Sequence, residues 1–290
     1  MTQFLDCRMA PVGGELATSV AVCQGTSIDN YTGLDMGELL NAIGGQHVLI
    51  ATHGFNVNRK DGVACLSNWQ SLLRLPVGSA FVGLLWPGDS IWAHGLDYPE
   101  EPRLADNAGV LIAEFLDTVF AGAASISFAS HSLGARVVLS TINNMSLPVR
   151  CVVLMAGAVD DDCLTNEFEA AAAKVEQISL LVSAKDEVLS FAFPAGNFLS
   201  GILAAGHPWW HAAIGHAGAT TPWPSNLQAP FMIPDNWNYQ HSNYLQVDSP
   251  PAPLLPVPAS VPPNGSPLPA NGARGWSEAF SAAFVSTRFR

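Results

Sequence analysis

A serine hydroxyl becomes a nucleophile only when a base can take its proton and backbone donors can receive the charge that forms on its substrate. Ser132, in Ser130-His131-Ser132-Leu133-Gly134, has the neighbours for this. Residues 124–129 read as a buried strand and residues 133–140 as the helix after it, so Ser132 falls on a strand-to-helix turn. Such an elbow exposes the side chain and points the amide of the next residue, Leu133, and the helix N-terminus at a developing oxyanion. Ser130 stands where the G-x-S-x-G elbow pattern has its first glycine, and a small residue satisfies the same steric demand.

A base and an acid must follow. Residues 149–156 and 177–184 read as successive apolar strands, and the second runs into Lys185-Asp186-Glu187. A carboxylate at that strand end can orient an imidazole supplied later in the chain, and His241 in Tyr239-Gln240-His241-Ser242-Asn243-Tyr244 supplies one. The competing acid is the cluster Asp160-Asp161-Asp162 after the preceding strand. Position favours Asp186, giving the chain order Ser132, Asp186, His241.

Six blocks carry a family resemblance: His53-Gly54-Phe55-Asn56, Leu85-Trp86-Pro87-Gly88, the Ser132 block extended to Ala135-Arg136, Ala156-Gly157-Ala158-Val159-Asp160, Ser183-Ala184-Lys185-Asp186, and His241-Ser242-Asn243-Tyr244. Over about residues 45 to 247 the chain resembles the α/β hydrolases, and more narrowly the bacterial group known as domain of unknown function 900. The resemblance implies a serine, acid, histidine triad of Ser132, Asp186 and His241. It also implies an oxyanion hole made by the Phe55 and Leu133 amides, with His53 packing the turn rather than reacting.

Composition bounds the rest. A chain of 290 residues with 49% hydrophobic content can bury one sizeable core. A net charge of −12 with twelve basic residues disfavours nucleic acid and anionic membrane surfaces as partners. Five scattered cysteines read as reduced thiols. The first residues lack a basic stretch followed by an apolar one, so a cytoplasmic location is expected, with secretion open if a leader has been removed.

Residues 188–234 contain no Asp, Glu, Lys or Arg. Polar and helix-breaking residues interrupt the stretch, which argues against a membrane span and for an apolar flap beside Ser132. Phe191, Trp209 and Trp210, with Trp86 upstream, are its candidate pocket residues. His207, His211 and His216 invite a metal reading, but Pro208 breaks the helix that would align them and no Glu follows the first, so no metal is expected. Residues 248–274 read as a Pro-rich linker or tail, and 275–290 as a short helix.

The expectation is a doubly wound α/β catalytic domain over residues 1–247, with a mostly parallel sheet. Strands are predicted near 17–24, 46–52, 80–86, 124–130, 149–156 and 177–184, with one more near residues 4–9 and helices over 106–120 and 132–144. The chemistry expected is carboxylic-ester hydrolysis without a cofactor, on a small-molecule substrate. A non-catalytic interaction protein is the alternative. Lactone, thioester, amide and polyester cleavage would use the same residues.

Overall fold

A computed structural model of the chain describes residues 1–73, 75–89, 101–192, 211–228, 230–233, 235 and 239–244. The strands are β1 (Thr2–Arg8), β2 (Leu16–Gly25), β3 (Thr32–Gly33), β4 (His47–Thr52), β5 (Ser79–Leu85), β6 (Ser125–His131), β7 (Val149–Met155), β8 (Val175–Val182) and β9 (Phe231–Met232). Among the described residues they form one sheet in the order β3-β2-β1-β5-β4-β6-β7-β8-β9. From β1 to β9 every neighbouring pair is parallel, and only the β1–β2 and β2–β3 pairs are antiparallel.

The apolar runs explain this arrangement. Val48–Ala51 and Val152–Met155 are buried without alternation, as strands covered on both faces must be. At the edge, β2 mixes exposed and half-buried positions along its length. Helix α1 (Met36–Ile43) is started by Asp35, whose side chain accepts from the Gly37 N–H at 2.7 Å. Asn58 caps α2 (Arg59–Leu72) by accepting from the Asp61 N–H at 3.0 Å. Helix α2 packs on β1 and β5, whereas α3 (Glu101–Val119) and α4 (Gly134–Asn144) pack on one another, with α4 also against β6. This is the doubly wound α/β hydrolase architecture that the sequence predicts.

Several bounds differ from expectation. Helix α3 begins five residues before 106, and α4 begins at Gly134 because Ser132 itself is not helical. Helices α1 and α2 and the two-residue strands β3 and β9 lie outside the elements that the sequence predicts. None of the five cysteines is in a disulfide, and no helix among the described residues is long and apolar enough to cross a membrane.

The described part of the charge-free segment from residue 211 onward is built into the sheet rather than lying over it as a flap. Ala213 bridges to Asp160, Leu227 bridges to Ile178, and β9 extends β8. Ala213, Ile214, Leu227 and Ile233 are buried. The side chains of Phe191, Trp209 and Trp210, the Pro-rich tail and the C-terminal helix lie outside the described residues.

Topology also fixes where a site can form. The chain travels outward from β4 to β5, then crosses back over β4 to β6 and proceeds the other way through β7 and β8. That reversal leaves a crevice at the carboxyl ends of β4 and β6, where α/β sheets place their ligands.

Candidate active site

Strand β6 ends at His131, and the next residue turns the chain into α4. Ser132 takes φ 54°, a left-handed conformation that costs a non-glycine residue roughly 1–2 kcal/mol. Hydrogen bonds hold it there: its N–H donates to the Met155 carbonyl at 3.0 Å, and its carbonyl accepts from Ala135 N–H at 3.0 Å and Ala158 N–H at 3.1 Å. Asn56 (φ 58°) and Ala156 (φ 46°) are the other described non-glycine residues with positive φ. They follow β4 and β7, so the strained backbone gathers around the elbow.

Close approach between the two strand ends depends on glycine. A Cβ built on Gly54 would lie 2.6 Å from Ser132 Cβ, and one on Gly134 would lie 2.4 Å from the His53 carbonyl oxygen. The His53-Gly54-Phe55 corner is thereby pressed against the elbow, with Phe55 and Leu133 one residue beyond the glycine and the serine respectively. Leu133 is buried, and Phe55 is half-buried and packed on the core.

His53 is fully buried. Its Nδ1–H donates to the Gly54 carbonyl at 2.9 Å, while Nε2 has no hydrogen-bond partner. Burial pushes its pKa down to about 3, so the ring is neutral. Trp86, named above as a pocket residue, is fully buried beside it. Its indole N–H donates to the His53 carbonyl at 2.9 Å, and its ring stacks on the imidazole at 6.0 Å. Trp86 thus supports the corner from within the core.

Asp186 lies four residues beyond β8 and is fully buried. One carboxylate oxygen accepts from the Leu189 N–H at 3.0 Å, and the other accepts from His241 Nδ1–H at 2.8 Å. His241 Nε2 lies 2.8 Å from Ser132 Oγ. The three side chains expected to act together are therefore in one hydrogen-bonded line, although 109 positions separate the serine from the histidine.

A short turn carries the histidine. His241–Tyr244 is a single 3-10 turn, tied to the strand end by Ser183 Oγ, which donates to the Tyr239 carbonyl at 2.7 Å. Within the turn, Asn243 Oδ1 accepts from Gln240 N–H at 2.6 Å. Ser183 and Gly54 have these positioning roles without any signal in the sequence beyond the blocks that contain them.

The alternative acids face elsewhere. His211 Nδ1 lies 2.8 Å from an Asp161 oxygen and Nε2 3.6 Å from Asp162. Burial lowers the His211 pKa, but the hydrogen bond to Asp161 and the charges of Asp162, Asp161 and Asp160 outweigh it and hold the ring above its ordinary value. Ligand atoms of Asp161, Asp162 and His211 lie within 4.8 Å of one another. Nδ1 is hydrogen-bonded to Asp161, and Nε2 stands at ion-pair distance from Asp162. His216 lies apart from this group with Nδ1 buried and unpartnered, and His207 is outside the described residues.

Among solved structures, the chain is similar to acetyl xylan esterase 1 from Thermoanaerobacterium sp. JW/SL YS485, at 12% identity over 82% of this chain and 82% of that one, with a TM-score of 0.37. It is also similar to the Pyrococcus furiosus esterase Pf2001, at 10% identity over 77% of this chain and 82% of that one, TM-score 0.36. Carboxyl esterase 2 from the fungus Tuber melanosporum overlaps at 15% identity over 69% of this chain and 77% of that one, TM-score 0.32. Overlap this loose carries no argument about chemistry. No curated protein matches the sequence. A family model described as alpha/beta hydrolase of unknown function (DUF900) matches residues 33–198, a span that includes the His53 corner, the Ser132 elbow and Asp186 but stops before His241. With more than half of the chain matched, on a sheet of the corresponding architecture, the chain belongs to the DUF900 family of α/β hydrolases.

Proposed function

We propose that the protein is a serine hydrolase that cleaves carboxylic esters through an acyl-enzyme. The observation that carries the reading is the hydrogen-bonded line from Ser132 Oγ through His241 to Asp186, with 2.8 Å at each step. In this reading His241 Nε2 takes the Ser132 proton as Oγ attacks the ester carbonyl. The buried Asp186 carboxylate fixes the tautomer with Nδ1 protonated and stabilises the imidazolium that forms.

The tetrahedral oxyanion is assigned to the backbone N–H groups of Phe55 and Leu133, each worth roughly 3 kcal/mol in the transition state. Collapse breaks the ester C–O bond, and the imidazolium returns its proton to the departing alkoxide. Water, deprotonated by His241, then attacks the acyl carbon and releases the acid and free Ser132. No step calls for a cofactor. A net charge of −12 favours neutral or cationic small-molecule esters over polyanions.

The test is turnover of p-nitrophenyl esters of graded chain length by the wild type and by Ser132→Ala, with a serine-directed fluorophosphonate as an active-site label. Ser132→Ala should lower kcat/KM at least about a thousandfold on the best ester and abolish labelling, with its unfolding transition unchanged. Wild-type-like turnover by that variant would refute the assignment.

A further inference from the structure

His131 sits between Ser130 and the nucleophile, at the last position of β6, and its side chain is buried. It reaches across to the turn that carries the base. Its Nε2 lies 2.9 Å from the backbone carbonyl of His241, which can only accept, so Nε2 bears the proton and donates it. The two imidazole rings are 4.8 Å apart at their centroids, and the Tyr244 ring lies tilted against His131 at 5.6 Å and edge-on to Tyr239 at 4.9 Å.

The other ring nitrogen, Nδ1, faces Gly54, where a Cβ would come within 3.1 Å of it. One residue thus adjoins Ser132 in the chain and brings its side chain to the main chain and ring of His241 and to the corner assigned to the oxyanion.

We infer that His131 is a positioning residue for the base: by donating Nε2–H to the His241 carbonyl, it holds the 3-10 turn so that His241 Nε2 stays in hydrogen-bond reach of Ser132. This rests on the serine-hydrolase reading above. Ser183 fixes Tyr239, and Gln240 Oε1 accepts from Glu187 N–H at 3.3 Å. His131 contacts the main chain of His241 itself, and it does so from the residue next to Ser132. A shift of the turn would be read directly as a change in the Oγ to Nε2 distance.

Burial, together with the nearby His241 charge when that ring is protonated, keeps His131 well below the usual histidine pKa. It therefore donates as a neutral imidazole and places no second cation beside the imidazolium of the reaction.

The experiment compares full-length wild type, His131→Leu, His131→Gln, His131→Asn and Ser132→Ala on one p-nitrophenyl ester, with fluorophosphonate labelling and thermal unfolding of each. Leu fills the site without a donor. Gln offers an amide N–H near the place of Nε2, and Asn offers one that is a methylene shorter. His131→Leu should lose roughly tenfold to a hundredfold in kcat with KM changed less than about threefold, the signature of a displaced catalytic group. His131→Gln should recover most of the loss.

Equal activity in wild type and His131→Leu would overturn the inference, and so would equal loss in Leu and Gln. Should Leu fail to fold, a clear advantage of Gln over Asn supports the inference and its absence overturns it. Absent Ser132-dependent turnover and labelling in the wild type would instead bring down the serine-hydrolase reading on which all of this rests.

Discussion

At Gly54 a single methyl group would be felt at once by the reacting serine and by the histidine before it. The Cβ of Gly54→Ala would lie 2.6 Å from Ser132 Cβ and 3.1 Å from both Nδ1 and the carbonyl oxygen of His131. None of these is the tip of a flexible side chain. Overpacking of this kind costs typically 1–3 kcal/mol, and relief can come only by moving the elbow or the corner. Gly54→Ala should therefore destabilise the protein by about that much in urea unfolding and lower kcat/KM at least about tenfold, a larger effect than the stability loss alone would give a still-folded enzyme.

Much of the site can be read from residue types at this scale. Ser132 is marked by its elbow, Asp186 by a strand end and His241 by its place after the last long strand. The role of His131 is not legible, because the contact is made to a backbone carbonyl 110 positions away and any side chain could occupy that position in the pattern. Trp86, a candidate pocket residue in the sequence, is fully buried, and its indole N–H finds its partner inside the core at His53.

Among the elements, the parallel strands were legible because Val48–Ala51 and Val152–Met155 are unbroken apolar runs that only a doubly covered sheet can bury. Helix α2 was hidden by its mixed face. Gly62, Ser67, Asn68 and Gln70 interrupt the apolar spacing of Val63, Leu66 and Trp69, and packing on β1 and β5 overrides the weak local preference. Strand β9 is too short to signal itself at all.

The stretch that returns to the sheet at residue 211 is held by a charge contact as well as by its bridges. His211 lies between Asp161 and Asp162, Asp161 N–H donates to the Ala212 carbonyl at 2.9 Å, and Thr220 N–H donates to the Asp161 carbonyl at 2.8 Å. The His211 pKa is raised in the folded chain, so this contact stabilises the fold at pH values below the ordinary histidine pKa and is lost as pH rises through the higher folded value. Amide protection at Asp161 and Ile214, whose N–H groups donate to the Ala212 and Val159 carbonyls, should fall over that interval once corrected for the intrinsic exchange rate. In His211→Asn the protection should no longer depend on pH there.

For the molecule as a whole, two buried neutral histidines set the response to acid. His53 is pushed down to about 3 and His131 well below its ordinary value, both chiefly by burial. Below about pH 6.5 the unfolded chain takes up protons that the folded chain refuses, so stability falls as pH is lowered from there towards the folded pKa, by up to about 1.4 kcal/mol per pH unit for each group. Above 6.5 neither histidine contributes a slope. Urea unfolding between pH 7 and pH 4 should show this loss, and the non-ionisable His53→Gln should show a shallower one.

The N-terminal strand is secured on the same scale. Arg8 is buried, ion-paired with Asp89, and donates to the Trp86 carbonyl at 2.8 Å and the Val57 carbonyl at 3.0 Å. Asp6 receives Arg59 at 2.6 Å and the Tyr31 hydroxyl at 2.9 Å. Such pairings join residues as far as 81 positions apart, and hydrophobic periodicity carries no trace of them.

On the proposed reading, the 109 positions between Ser132 and His241 also govern when the protein becomes competent during its own synthesis. The elbow and all of the long strands are made before His241, so a nascent chain that stops short of it carries the serine without its proposed base. Only the closing turn at His241–Tyr244 arms it. Hydrolysis then requires translation to have passed His241, and a nick between β9 and that turn should disarm the serine while leaving β1 to β9 in one piece.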